Sequence, residues 1–204
     1  QNYQSQIRLM IKMQFQVGVA RRICETIGTL KMPSVCEKLG QMAAQAAMVE
    51  GLVYGMESGG GYYNGYYVPD RNLMYTAQVL TQQLYPEFIT SMREIAGGGL
   101  IMLPSSVKDF DNPEIAKYIN ATQNSAIGSS EEKVKFMKLA WDAIGSEFAS
   151  RHTQYEMFYA GAQFVTRGHA LRTYDWKRAE GLVDDILNSY DLESVLDNKI
   201  FAAE

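Results

Sequence analysis

Arg151-His152-Thr153-Gln154-Tyr155-Glu156-Met157-Phe158-Tyr159-Ala160-Gly161-Ala162-Gln163-Phe164-Val165-Thr166-Arg167 is the stretch around which the chain is organised. It begins on an amphipathic helix, passes through the small-residue break Ala160-Gly161-Ala162, and resumes as a second helical run ending near Arg172. With so little side chain at the break, a ligand or another backbone can come within contact distance. If the second run opens a new helix, its first free N–H groups face the same spot and favour a phosphate. Small residues also serve close packing where helices cross. The stretch alone therefore leaves a nucleotide site and a helix crossing both open.

Working outward, the flanking sequence supplies helices. Met10, Met13, Val17, Ala20, Cys24 and Ile27 form one apolar stripe at helical spacing. Pro33 stops that helix, and Ser34 with Glu37 is expected to form a capping box for the next. The second stripe is Val35, Leu39, Met42, Ala46, Val49, Val53 and Met56. Long helices joined by a few residues pack antiparallel, so both stripes are core. From Ser58 to Pro69 paired tyrosines flank Asn64-Gly65, the signal of a tight hairpin. A third helix is expected over 70–95, with Leu73, Ala77, Leu80 and Leu84 inward and a kink at Pro86. It ends at Gly97-Gly98-Gly99, where one C-cap glycine would suffice; three suggest backbone pressed against something. After a polar connection, Ser129 and Glu132 open a fourth helix with Val134, Met137, Trp141, Ile144 and Phe148 inward. A last helix is expected over 175–189, followed by a tail. The fold class is all-α: a four-helix bundle with a short Tyr/Gly hairpin excursion.

The 204 residues are enough for one large domain or at most two small ones, and a net charge of −4 gives no reason to expect a nucleic-acid or anionic-membrane partner. No apolar run approaches bilayer-spanning length, and the polar N-terminus does not read as a signal peptide. Cys24 and Cys36 fall in helical pattern and read as buried free thiols, which points to the cytoplasm. The chain starts at Gln1 directly in a helix, as expected of the C-terminal part of something longer. His152 and His169 have no partner at metal-ligand spacing, and Glu147, His152 and Glu156 fall on different parts of one helix surface, so no metal is expected. No GxSxG, P-loop or GxGxxG-helix motif occurs. These residues describe a helical bundle whose glycine breaks leave a nucleotide-shaped gap and close helix packing both open.

Two separated motifs carry a resemblance. Arg93-Glu94-Ile95-Ala96-Gly97-Gly98-Gly99-Leu100 with Leu103-Pro104-Ser105-Ser106 and Asp109-Phe110, followed by Tyr155-Glu156-Met157-Phe158-Tyr159-Ala160-Gly161, resemble the C-terminal domain of the two-component, reduced-FAD-dependent phenol hydroxylases. That family includes 4-hydroxyphenylacetate 3-monooxygenases and chlorophenol 4-monooxygenases, built on the acyl-CoA dehydrogenase fold. In the dehydrogenases the counterpart of Arg93 to Gly98 meets the flavin of a neighbouring subunit. Their Tyr-Glu-Gly-Thr stretch is similar to Tyr159-Ala160-Gly161-Ala162. Here Ala160 stands where the dehydrogenases have their proton-abstracting Glu, and a methyl group cannot take a proton. Ala162 stands where they have a flavin-touching Thr and many of the hydroxylases have Asn.

The resemblance implies an oxygenase that takes FADH2 from a separate flavin reductase and places one oxygen atom of O2 ortho or para to a phenol hydroxyl. It implies flavin contacts from Arg93, Gly97, Gly98, Tyr159, Ala160, Gly161, Ala162 and Gln163, with Phe158 as a wall of the aromatic substrate pocket. No catalytic acid or base is expected within 1–204, because the family carries those groups in upstream N-terminal and β-barrel domains. A homotetramer is implied, with Gly97 and Gly98 serving a neighbour's FAD. Two alternatives stand beside it: a relative of 4-hydroxybutyryl-CoA dehydratase, which needs a Cys/His ligand set for an iron–sulfur cluster and finds no histidine near Cys24 and Cys36, and a non-catalytic helical oligomerisation module.

Overall fold

The computed structural model describes residues 2–191. Eight α-helices and one hairpin follow in the order α1 (Asn2–Ile27), α2 (Pro33–Ser58), β1 (Gly61–Tyr63), β2 (Tyr66–Val68), α3 (Arg71–Ala96), α4 (Pro113–Thr122), α5 (Ser130–Ile144), α6 (Glu147–Phe158), α7 (Gln163–Thr173) and α8 (Trp176–Asn188). Short 3-10 turns cover Gly97–Leu100 and Val107–Asp111. The tail beyond 191 lies outside the described residues.

The helices α1, α2, α3 and the α5–α6 pair form the expected four-membered bundle. Its core joins Leu9, Met13, Ala20 and Ile23 of α1 to Met42 and Val49 of α2, Tyr85, Phe88 and Met92 of α3, and Met137, Ala140 and Ile144 of α5. Burial of such side chains contributes on the order of 2 kcal/mol each and drives the assembly. The hairpin pairs Tyr63 with Tyr66 around Asn64 (φ 49°) and Gly65 (φ 82°), the two left-handed positions that a tight turn requires. It is tied to the bundle by the Tyr67 hydroxyl, which donates to the Glu57 carbonyl at 2.7 Å.

Several sequence expectations are corrected. Helix α2 starts at Pro33 itself, with Met32 as an N-cap that makes no side-chain bond, so Ser34 and Glu37 form no capping box. The box at Ser129 and Glu132 does form: the Ser129 hydroxyl accepts from the Glu132 N–H at 3.1 Å, and the Ser129 N–H donates to the Glu132 carboxylate at 2.9 Å. The fourth helix is two helices, because Ser146 restarts the chain by capping the Ala149 N–H at 3.2 Å. The break reorients α6 and leaves Phe148 exposed, while Trp141 lies partly exposed over Gly145. Leu80 faces outward and Gln78, Thr81 and Gln82 face inward, so the buried side of α3 is partly polar. Cys24 is a buried free thiol as expected, whereas Cys36 is exposed. Helix α4, in the polar connection, was not expected from the sequence.

Candidate functional site

The small-residue break is a tight turn between two helices. Helix α6 ends at Phe158, the Gly161 N–H donates back to the Phe158 carbonyl at 2.9 Å, and α7 begins at Gln163. Gly161 sits at φ 114°, which side chains rarely adopt, and nothing lies within 4 Å of where a Cβ would stand. Ala162 is the N-cap of α7 and has no side chain that could bond the helix terminus. Its carbonyl accepts from the Val165 and Thr166 N–H groups, so the Gln163 and Phe164 N–H groups have no protein acceptor among the described residues. The second run thus opens a new helix whose donors stand beside a glycine with an open face. A carbonyl or phosphate oxygen fits that arrangement.

Tyr159 stacks on Tyr155 with ring centroids 4.3 Å apart, and the Arg8 guanidinium lies 4.4 Å over the Tyr155 ring. Burial, with the Tyr159 hydrogen bond behind it, raises the Tyr155 pKa. Phe158, at the end of α6, is 48% exposed. It is not part of the core.

Arg93, Gly97 and Gly98 are elsewhere. The Arg93 Nε donates to the Ile144 carbonyl at 2.9 Å, which fastens the end of α5 to α3. Gly97 takes φ 54°, and neither Gly97 nor Gly98 has an atom within 4 Å of a would-be Cβ. The expected pressing of backbone therefore does not occur within the described chain; only Gly99 meets a neighbour, the Met137 methyl at 3.2 Å. These glycines open onto a groove of about 520 Å³, lined also by Thr29, Ser34, Lys38 and Glu94. Gln82, which contacts Gly161, precedes Gly97 by fifteen residues of helix, so the two motifs stand roughly 22 Å apart along α3. One protomer does not bring them together.

Sequence reading missed an ion cluster between α1 and α6. Arg8 donates to both oxygens of the buried Glu156 carboxylate at 2.5 and 2.8 Å, and Lys12 bonds the same carboxylate. Lys12 also donates to His152 Nδ1 at 2.8 Å. Burial lowers the Lys12 pKa despite its Glu156 partner, and burial together with Lys12 lowers that of His152. Tyr85, whose ring faces Lys12, is pushed up to about 12 by burial and by Glu156. The partners are 140 or more residues apart, and only the His152-x-x-x-Glu156 spacing hinted at it. A larger groove of about 830 Å³, between α1 and α5, is lined by Phe15, Val19 and Phe136 with lysines at its rim and touches none of the predicted site residues. Among the described residues no three His, Cys, Asp or Glu side chains gather as metal ligands.

The described residues form an all-α bundle of the acyl-CoA dehydrogenase type, and solved structures share this fold. The oxygenase component (HpaB) of 4-hydroxyphenylacetate 3-monooxygenase superposes with a TM-score of 0.86 at 26% identity, covering 98% of this chain and 41% of that one. Its complex with FAD and 4-hydroxyphenylacetate gives 0.87. An archaeal 4-hydroxybutyryl-CoA dehydratase from N. maritimus shares the fold at 0.78 and 19% identity. The model of the 4-hydroxyphenylacetate 3-hydroxylase C-terminal (HpaB) family matches residues 1–188, and the chain belongs to that family. The 4-hydroxyphenylacetate 3-monooxygenase oxygenase component of Pseudomonas aeruginosa is 33% identical over 90% of this chain. The 4-nitrophenol 2-monooxygenase oxygenase component of a Rhodococcus species is 27% identical over 91% of it. The chain spans about 36% of the first of these relatives and 37% of the second.

Proposed function

We propose that this chain is the C-terminal, flavin-facing domain of the oxygenase component of a two-component monooxygenase that hydroxylates a phenol with FADH2 and O2. The observation that carries the reading is the turn at residues 160–162: an open-faced Gly161 beside an uncapped helix terminus, in a chain of this family. One related structure holds FAD and 4-hydroxyphenylacetate together, which supports the cofactor and the substrate class. Tyr159, Ala160, Gly161, Ala162 and Gln163 would hold the flavin through backbone and ring contacts, with Phe158 as an aromatic wall. Arg93, Gly97 and Gly98 would serve the flavin of a second copy. Reduced FAD, when bound, supplies the activation of O2 from which one oxygen atom reaches the ring and the other leaves as water.

The described residues' share is to bind, to orient and to keep water away. Neither Ala160 nor Ala162 can move a proton, so acid–base groups would come from upstream N-terminal and β-barrel domains. A separate flavin reductase would supply the FADH2. The homotetramer is what the family resemblance implies; α8, which exposes Leu182, Val183, Ile186 and Leu187, offers it an apolar face to cover. Among the described residues no helix is long and apolar enough to cross a membrane; the two free thiols favour the cytoplasm.

The test is anaerobic titration of the full-length protein with reduced and oxidised FAD. Tight, reduced-selective binding that Gly161→Val weakens is the expected result. A full-length protein that binds no flavin would leave only a helical assembly module.

A further inference from the structure

We propose that Gln82 and Thr166 form a buried clamp that sets the shape of the turn at residues 160–162, and that Gln82 is thereby a positioning residue for the flavin. This rests on the function proposed above. Gln82 lies on α3, is 2% exposed, and reaches across to the turn. Its Nε2 donates to the Met157 carbonyl at 2.9 Å and to the Gly161 carbonyl at 2.7 Å, one in the last turn of α6 and one within the break. Its Oε1 accepts from the Thr166 hydroxyl at 2.8 Å, and Thr166 is fully buried in the first turn and a half of α7.

The amide has only one workable orientation. Both hydrogens on nitrogen go to carbonyls, so its oxygen needs a donor, and the Thr166 hydroxyl is that donor. Flipping the amide would set its oxygen against two carbonyl oxygens and its NH2 against a hydroxyl. The hydroxyl also lies 3.0 Å from the Gln163 carbonyl, but its single proton favours the shorter bond to Gln82.

One side chain thus ties the last turn of α6, the break and the first turns of α7 to a single point on α3. Without it Gly161 would be free to turn, because glycine resists few conformations. The direction of the Gly161 peptide and of the Gln163 and Phe164 N–H groups would then be held only by the helices on either side. The anchor itself stands where α3 is locally weakened: Pro86, four residues on, has no N–H to give the Gln82 carbonyl. Such second-layer hydrogen bonding holds the groups that touch a ligand to their productive geometry.

The experiment compares full-length Gln82→Met, Thr166→Val and Thr166→Ser with the parent by two measurements, FAD dissociation constant and hydrogen exchange of residues 157–166. Gln82→Met keeps the volume and removes every bond; it is expected to raise the FAD Kd at least tenfold and to speed exchange in the segment. Thr166→Val frees the amide and is expected to raise Kd three- to tenfold, whereas Thr166→Ser, which keeps the hydroxyl, restores the parent value. A merely structural role would lower the melting temperature and leave Kd, measured far below it, unchanged. Gln82→Met with parental Kd and parental exchange overturns the clamp. If the parent itself binds no FAD, the functional reading fails, while exchange still decides whether the clamp exists.

Discussion

Gly98→Ala separates what the chain needs for itself from what it needs for a ligand. At Gly97 the backbone sits at φ 54°, so an alanine there is expected to cost about 1–3 kcal/mol of strain whatever the space around it. Gly98 carries no such constraint, and nothing within 4 Å would meet its methyl group. Its replacement should leave folding stability within about 0.5 kcal/mol of the parent, as for any unconstrained surface change. If the flavin of a second copy lies against this backbone, the same methyl pushes the ring away. A loss of tenfold in FAD affinity, about 1.4 kcal/mol, is then expected. Denaturant unfolding gives the first quantity and anaerobic FAD titration of the full-length protein gives the second. Parental FAD affinity in Gly98→Ala would refute a flavin contact there. A stability loss above about 1 kcal/mol would show that the glycine serves an intramolecular fit that the structure lacks.

Three further outcomes concern the core. Glu156→Gln strips the carboxylate from the buried Arg8 and Lys12 charges and should destabilise by about 3 kcal/mol; a loss below about 1 kcal/mol in urea unfolding would show that the cations relax to solvent. His152 is held below its ordinary pKa of 6.5 by burial and by Lys12, with Arg8, Arg151 and Glu156 also facing it. The unfolded chain therefore takes up a proton first, and stability falls as pH drops through 6.5. Melting curves between about pH 7 and pH 5.5 should flatten in His152→Gln, and an unchanged slope would count against this. Gln78 is 1% exposed and neither amide atom has a partner among the described residues, so Gln78→Met should raise stability by about 1 kcal/mol, and a loss of that size would mean the amide is bonded in the native protein.

Much of the bundle is legible because apolar spacing alone defines α1, α2 and α5: Met13, Met42 and Met137 all lie where their stripes put them. The hairpin and the Ser129 cap are legible because their geometry is local. The break after Ile144 is not legible from periodicity, because the apolar pattern runs on to Phe148; its signal is local, a glycine followed by the Ser146 cap on the Ala149 N–H. The Trp141 ring covers Gly145 so closely that an added Cβ would collide with it, an arrangement that no periodicity encodes. The turn at residues 160–162 was visible as small residues, yet the Gln82 and Thr166 side chains that hold it were not. Gln82 lies off the stripe read for α3, and only its place one turn before Pro86 set it apart in the sequence. The α1–α6 ion cluster lay beyond reach because its partners meet only after the chain has closed over some 140 residues.

The two glycine motifs also constrain each other. Standing roughly 22 Å apart along α3, they cannot press on the same flavin ring. If both face a flavin ring, as proposed above, the two motifs of one copy serve different cofactors, and each cofactor is enclosed by more than one copy of the chain. Cofactor binding and assembly are then one equilibrium. FAD favours the assembled form by mass action, and dilution releases both together. If the proposed assembly covers the exposed apolar face of α8, that face has the same consequence from the other direction. Replacing Ile186 with Asp touches neither glycine motif, yet it should weaken FAD binding to the extent that it loosens the assembly. Such a variant, found dissociated by sedimentation but with parental FAD affinity at the same concentration, would break the link and place the whole flavin contact within a single protomer.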